Sequence, residues 1–322
     1  MSHSGRPRSI TGSDGTRVKL LLGATGEDYI LLLDEDDGKR EWQSSDWSGN
    51  LPSKLCKQIN NCYAKYRHVT EMAFGPTGQW YVSGSKRSAD RTLYGGHHWW
   101  GGISDDTHNI KKFCTAPGKS RFSFGCNGSY VGLSGSNGYI LYAVPEGLKA
   151  RVKKAHQKSE TIKVARVFQH SGAAYFVSDA KGTEWCGLSS QLSDHLKNGG
   201  KDEIVDVICA ADGSWVVLRP NRFVASNGVS FKVRDRLDKF FQQQKSRRQD
   251  TNRRIKAYDA ALLRQQQEAE AEAARQAHAV QSALQAEQRR QAEVRQPKLN
   301  NVPLFVTRTH ANLHHHSRYS FT

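Results

Sequence analysis

Five stretches of the chain share one hydrophobic outline: an apolar-alternating run, a tight glycine turn, and a second run rich in aromatics and valine. They read LLLGATGEDYILLL, MAFGPTGQWYVSG, FSFGCNGSYVGL, RVFQHSGAAYFVS and VICAADGSWVVL. The turn glycines are Gly26, Gly78, Gly128, Gly172 and Gly213, spaced by 52, 50, 44 and 41 residues. Runs of this kind around N-G or D-G predict β-hairpins, because glycine tolerates the positive φ of the primed turns.

A second half-motif follows each hairpin: WSGNLPSKLCKQI, WGGISDDTHNI, LYAVPEGLKARV, WCGLSSQLSDHL and SNGVSFKVRDRL. Its central apolar residues, Leu51, Ile103, Val144, Leu188 and Val229, are 52, 41, 44 and 41 residues apart. Pro or Ser after the anchor, then apolar residues three and four positions apart, predicts a short amphipathic helix. Leu188, Leu192 and Leu196 would share one face of it, as would Leu148 and Val152. The unit is a β-hairpin, a further strand and a short helix, repeated five times with a step of 41–52 residues. The expected fold is mainly β, with a long helix after the repeats.

One such unit cannot bury its apolar face alone; stacked neighbours can, and a closed ring removes the terminal edges. In its period the chain over residues 18–244 resembles β-propellers of the general WD-repeat kind. The signature of that family is missing: Trp-Asp occurs only reversed, as Asp46-Trp47, and Gly96-His97 falls in the first long insertion. Similar turn-aromatic repeats occur in uncharacterised fungal proteins, a resemblance that implies no activity. The second architecture open to this pattern is a smaller β-sheet array with helices on one side. The longest period places an insertion at Ser85 to His98, where Lys86, Arg87 and Arg91 would offer loop contacts.

From Lys245 to Gln296 glycine and proline vanish and Ala, Gln, Glu and Arg dominate, which predicts a long helix, on the order of 75 Å. Its apolar positions, among them Ile255, Tyr258, Leu262, Val280 and Leu284, form an irregular stripe. Self-association as a coiled coil and a solvated single helix are both compatible with it. Residues 1–17 and 297–322 read as disordered tails.

Only 37% of the chain is hydrophobic and the mean hydropathy is -0.68, in keeping with a folded repeat domain plus a polar remainder. No apolar run approaches the ~18 residues of a membrane span, and the N-terminus lacks an apolar secretory core, so an intracellular protein, cytoplasmic or nuclear, is expected. The net charge of +16 favours acidic partners. It is spread along the chain, with one dense patch at Lys245, Arg247, Arg248, Arg253, Arg254 and Lys256, which fits an anionic partner or a nuclear-localisation signal.

Catalytic signatures are wanting. The six cysteines form neither a C-x-x-C pair nor a disulfide framework. His97, His98, Asp105, Asp106 and His108 match no metal motif, and Gly118-Lys119-Ser120 lacks both the first glycine and the following helix of a phosphate loop. No catalytic residue, metal or cofactor is expected. The sequence therefore points to a non-enzymatic protein-interaction scaffold. The alternatives are a nucleic-acid-associated protein using the basic patches, and a repeat lectin stacking sugars on residues such as Trp80 and Trp215.

Overall fold

A computed structural model describes residues 17–36, 41–66, 68–87, 93–103, 110, 113–114, 120–135, 138–198 and 203–295. The chain divides into two units, Met1–Ile255 and Lys256–Thr322. In the first, the described residues form fifteen strands arranged as five three-stranded antiparallel meanders. Sheet one holds β1 (Val18–Leu22), β2 (Tyr29–Asp36) and β3 (Glu41–Ser48); sheet two holds β4 (Val69–Phe74), β5 (Trp80–Arg87) and β6 (Leu93–Gly101). Sheet three holds β7 (Ser120–Phe124), β8 (Tyr130–Ser134) and β9 (Gly138–Tyr142). Sheet four consists of β10 (Ile162–Val167), β11 (Tyr175–Asp179) and β12 (Gly182–Cys186), and sheet five of β13 (Asp206–Cys209), β14 (Trp215–Leu218) and β15 (Phe223–Ala225).

The continuous apolar runs of the middle strands now have a physical reason: these strands are buried on both faces. In β2, Tyr29, Leu31 and Leu33 pack with sheet five, while Ile30 and Leu32 pack with sheet two. In β14, Val216 and Leu218 turn to sheet one and Trp215 and Val217 to sheet four. Five apolar clusters result, each shared by two consecutive sheets, and the fifth joins sheet five back to sheet one. Backbone hydrogen bonds reinforce that last contact: Ala211 N donates to Gly23 O and Asp212 N to Ala24 O, both at 3.0 Å.

Between consecutive sheets the chain forms helices α1 (Ser53–Tyr66), α2 (Glu146–Gln157) and α3 (Ser190–Asn198). Each packs on the sheet that follows it. Leu55, Ile59 and Cys62 of α1 enter the cluster with β4 and β5, Leu148 and Val152 of α2 that with β10 and β11, and Leu192 and Leu196 of α3 that with β13 and β14. All five anchor residues predicted from the second half-motif lie in these inter-sheet clusters.

Helix α4 (Phe231–Arg295) fulfils two expectations at once. The short fifth-repeat helix and the long C-terminal helix are one element of 65 residues. Its first turns bury Val233, Leu237, Phe240 and Phe241 against β1 and β2, the place that α1, α2 and α3 take on their own following sheets. Ser230 N, just before it, donates to Gly26 O at 3.0 Å. In the second unit, residues 256–294 of α4 are solvent-exposed except Tyr258, which is half-buried. Among the described residues no helix is long and apolar enough to cross a membrane.

Candidate functional site

The first strand of every sheet lines a common cavity of about 770 Å³. Strand alternation explains what points into it: residues two apart share a face. Counting back along each first strand from its turn, Lys19, Glu71, Arg121 and Asp206 occupy one level in four of the five sheets. Arg166 of β10 lies one layer deeper, where the cavity meets a narrower space of about 50 Å³ lined by Leu22, Phe74, Phe124, Phe168 and Cys209. Gln169 spans that narrow end, its Nε2 donating to Phe74 O at 3.0 Å.

Arg166 organises the floor. Its Nε and Nη2 donate to the two carboxylate oxygens of Asp206 at 2.8 and 2.6 Å, and its Nη1 donates to Phe122 O at 3.2 Å. This fork-on-carboxylate geometry ties sheet four to sheet five. Burial works against the charge of Arg166, but Asp206 and Glu71 outweigh it and hold the guanidinium firmly protonated. Glu71 stands 4.0 Å from Nη2, too far for a hydrogen bond, and makes none with any described residue. Burial is the largest influence on its carboxyl and raises it above the usual value, against the pull of Arg166, Arg121 and Lys19.

The rim is more exposed. Arg121 Nη1 donates to Lys163 O at 2.9 Å, and Lys163 pairs with Glu203. Lys19, as buried as the floor residues, lies 3.4 Å from Asp34. Counting Lys19, Arg121, Lys163 and Arg166 against Glu71, Glu203 and Asp206, the lining carries a net charge of +1. No sequence motif singled this set out, because its members lie tens of residues apart. The signal that existed was columnar: seven residues before the turn glycines of repeats one, two, three and five stand Lys19, Glu71, Arg121 and Asp206.

The residues that sequence patterning singled out are placed elsewhere. Lys245, Arg247, Arg248, Arg253, Arg254 and Lys256 all lie on α4. Of these, Lys245, Arg253, Arg254 and Lys256 are exposed, while Arg247 and Arg248 are half-buried and Arg248 donates to Asn221. Lys86, exposed, and Arg87 belong to the end of β5, so this part of the insertion is strand; Arg91 lies outside the described residues. His98 Nδ1 shares a 2.7 Å hydrogen bond with Tyr81 Oη, and His97 meets Trp99 edge to face; Asp105, Asp106 and His108 lie outside the described residues. Among the described residues no group of three His, Cys, Asp or Glu is placed to hold a metal ion. All six cysteines are free, and burial pushes the Cys62 thiol up to about 12 and the Cys114 thiol to about 11.

The two aromatic residues that would stack on sugars are core residues instead. Trp80 is 8% exposed and Trp215 3%, each inside an inter-sheet cluster. No protein-family model matches the chain, and neither does any curated protein or any solved structure.

Proposed function

We propose that the chain is a non-enzymatic interaction scaffold of the β-propeller kind, acting in the cytoplasm or nucleus. A protein partner docks over the mouth of the central cavity, and α4 serves assembly or tethering. The observation that carries this reading is the convergence of all five first strands on one charged cavity with Arg121, Lys163 and Glu203 at its rim. Charges of both signs around a concave opening favour one orientation of a partner and penalise others. The exposed apolar residues of α4, Leu262, Leu263, Val280 and Leu284, support a role for that helix in contact with another chain. A photo-crosslinking residue replacing Leu133 at the mouth should capture a partner, while one replacing the exposed Thr77, in the β4–β5 turn at the other end of the first strands, should not. Equal capture from both positions would overturn the mouth as the docking face.

A second reading, nucleic-acid association, rests on the four exposed cations between Lys245 and Lys256. It requires affinity that falls steeply between low and physiological salt. A flat salt response excludes it.

A further inference from the structure

The charged residues around Glu71 have a chemistry that protein docking alone does not explain. Three cations from three different sheets, Lys19 on β1, Arg121 on β7 and Arg166 on β10, act on the single carboxylate of Glu71 on β4. A carboxylate so surrounded ordinarily takes hydrogen bonds from its neighbours. Glu71 takes none from a described residue, and Arg166 Nη2 stands 4.0 Å away. The adjoining space, about 770 Å³, falls in the size range of small-molecule pockets.

We propose that this cavity is a binding site for a compact organic anion, whose carboxylate or phosphate group takes the donors that Arg121 and Arg166 do not use in their bonds to Lys163 O, Asp206 and Phe122 O. Arg166 is suited to that role because Asp206 fixes its plane through Nε and Nη2 while Nη1 retains a free donor beyond its bond to Phe122 O. Arg121 is exposed and its charge has no acidic partner within salt-bridge distance among the described residues. Glu71 acts as the resident competitor. Ionised, it occupies the cations by charge; protonated, it becomes a donor to the arriving anion and the lining rises from +1 to +2.

The groups facing Glu71 are Arg166, Arg121 and Lys19, which favour its ionised form, and Asp206, which disfavours it. Burial already disfavours the ionised form, so anion uptake is coupled to proton uptake by Glu71. Affinity therefore rises as pH falls toward the Glu71 titration. This inference shares Arg121 with the docking reading, but anion titration of the protein alone reads the site without a protein partner, so either reading can fail without the other.

The test is titration calorimetry of the full chain with succinate and with inorganic phosphate, at neutral and mildly acidic pH, on the parent protein and on Glu71→Gln, Arg121→Ala and Lys181→Ala. Each variant is first checked for an unchanged far-ultraviolet spectrum and a cooperative melt. Saturable binding of either probe supports the site, and the preferred probe tells carboxylate from phosphate. Arg121→Ala should weaken binding by about tenfold or more, the loss of one charge-assisted contact. Glu71→Gln should tighten it and leave only the pH dependence that comes from the probe's own ionisation, and Lys181→Ala should leave it unchanged. Absence of saturable binding for both probes overturns the proposal. So does a folded Glu71→Gln that binds no tighter than the parent, or an Arg121→Ala that binds equally well.

Discussion

Leu237 tests whether the start of α4 is structural in the way the other repeat helices are. It is fully buried, in the cluster that joins β1 and β2 to sheet five. Leu148 of α2 and Leu192 of α3 occupy the corresponding places in their own clusters, at 0% and 1% exposure. Leu237→Ala removes three heavy atoms from a packed site, and substitutions of that type cost about 2–5 kcal/mol, with the residual cavity setting the value. Taking about 3 kcal/mol, the melting temperature of a domain of this size should fall by roughly 6–12 °C. Urea unfolding followed by tryptophan fluorescence measures the loss directly, with Leu148→Ala as the positive comparison. Leu262→Ala, at a position 45% exposed on the same helix, should change stability by no more than about 0.5 kcal/mol. If Leu237→Ala behaved like Leu262→Ala, the first turns of α4 would not belong to the repeat core.

Three further outcomes follow from particular contacts. Ala143 follows β9 with φ +48, where Gly49, Gly102 and Gly187 take positive φ after the third strands of sheets one, two and four. Ala143→Gly should relieve left-handed strain and stabilise by up to about 1 kcal/mol in thermal melts, and a loss of stability would refute that account. Burial would raise the Asp179 carboxyl, but Arg151, at 2.8 and 2.9 Å, and the Lys181 amide outweigh it and hold it below its ordinary 3.8. Its contribution to stability is therefore present above pH 3.8 and lost as pH falls through the lower folded value; Asp179→Asn should flatten the acid limb of a stability–pH curve, and an unaltered limb contradicts the assignment. Breaking the Arg166–Asp206 pair from one side, as Arg166→Met or as Asp206→Leu, should cost up to about 3–5 kcal/mol, and the double change should recover much of it. Additive losses in that double-mutant cycle would mean that the two residues are not coupled.

How much of this was legible in the sequence depends on the range of the interaction. Hairpins were, because their determinants are local: Gly78, Gly128 and Gly213 take the positive φ that the turn pattern required, at +87, +75 and +84. The short helices were legible too: Leu192 and Leu196 share the buried face of α3, while Leu188, expected on that face, precedes the helix and packs beside the same cluster. The aromatic positions misled the lectin alternative. Trp80 and Trp215 have the same sequence surroundings whether they face solvent or a neighbouring sheet, and only the adjacent sheet decides. The cavity was legible least of all. A single Lys19 or Glu71 in an apolar strand looks like the solvent side of an alternating pattern, and it points inward only because four other first strands face it. The continuity of α4 was missed for a related reason: Phe231 to Gln244 carries the repeat signature, Lys245 onward the long-helix composition, and no breaker residue separates them.

The central claim is that five repeats complete a common core only when the start of α4 closes sheet five onto sheet one. Two truncations measured by thermal melting in the near-ultraviolet test it most directly. A chain ending at Gln244 retains Val233, Leu237, Phe240 and Phe241 and should melt in one cooperative, β-rich transition. A chain ending at Ser230 lacks all four and should lose that cooperative transition. Equal, cooperative melting of both chains would contradict the claim.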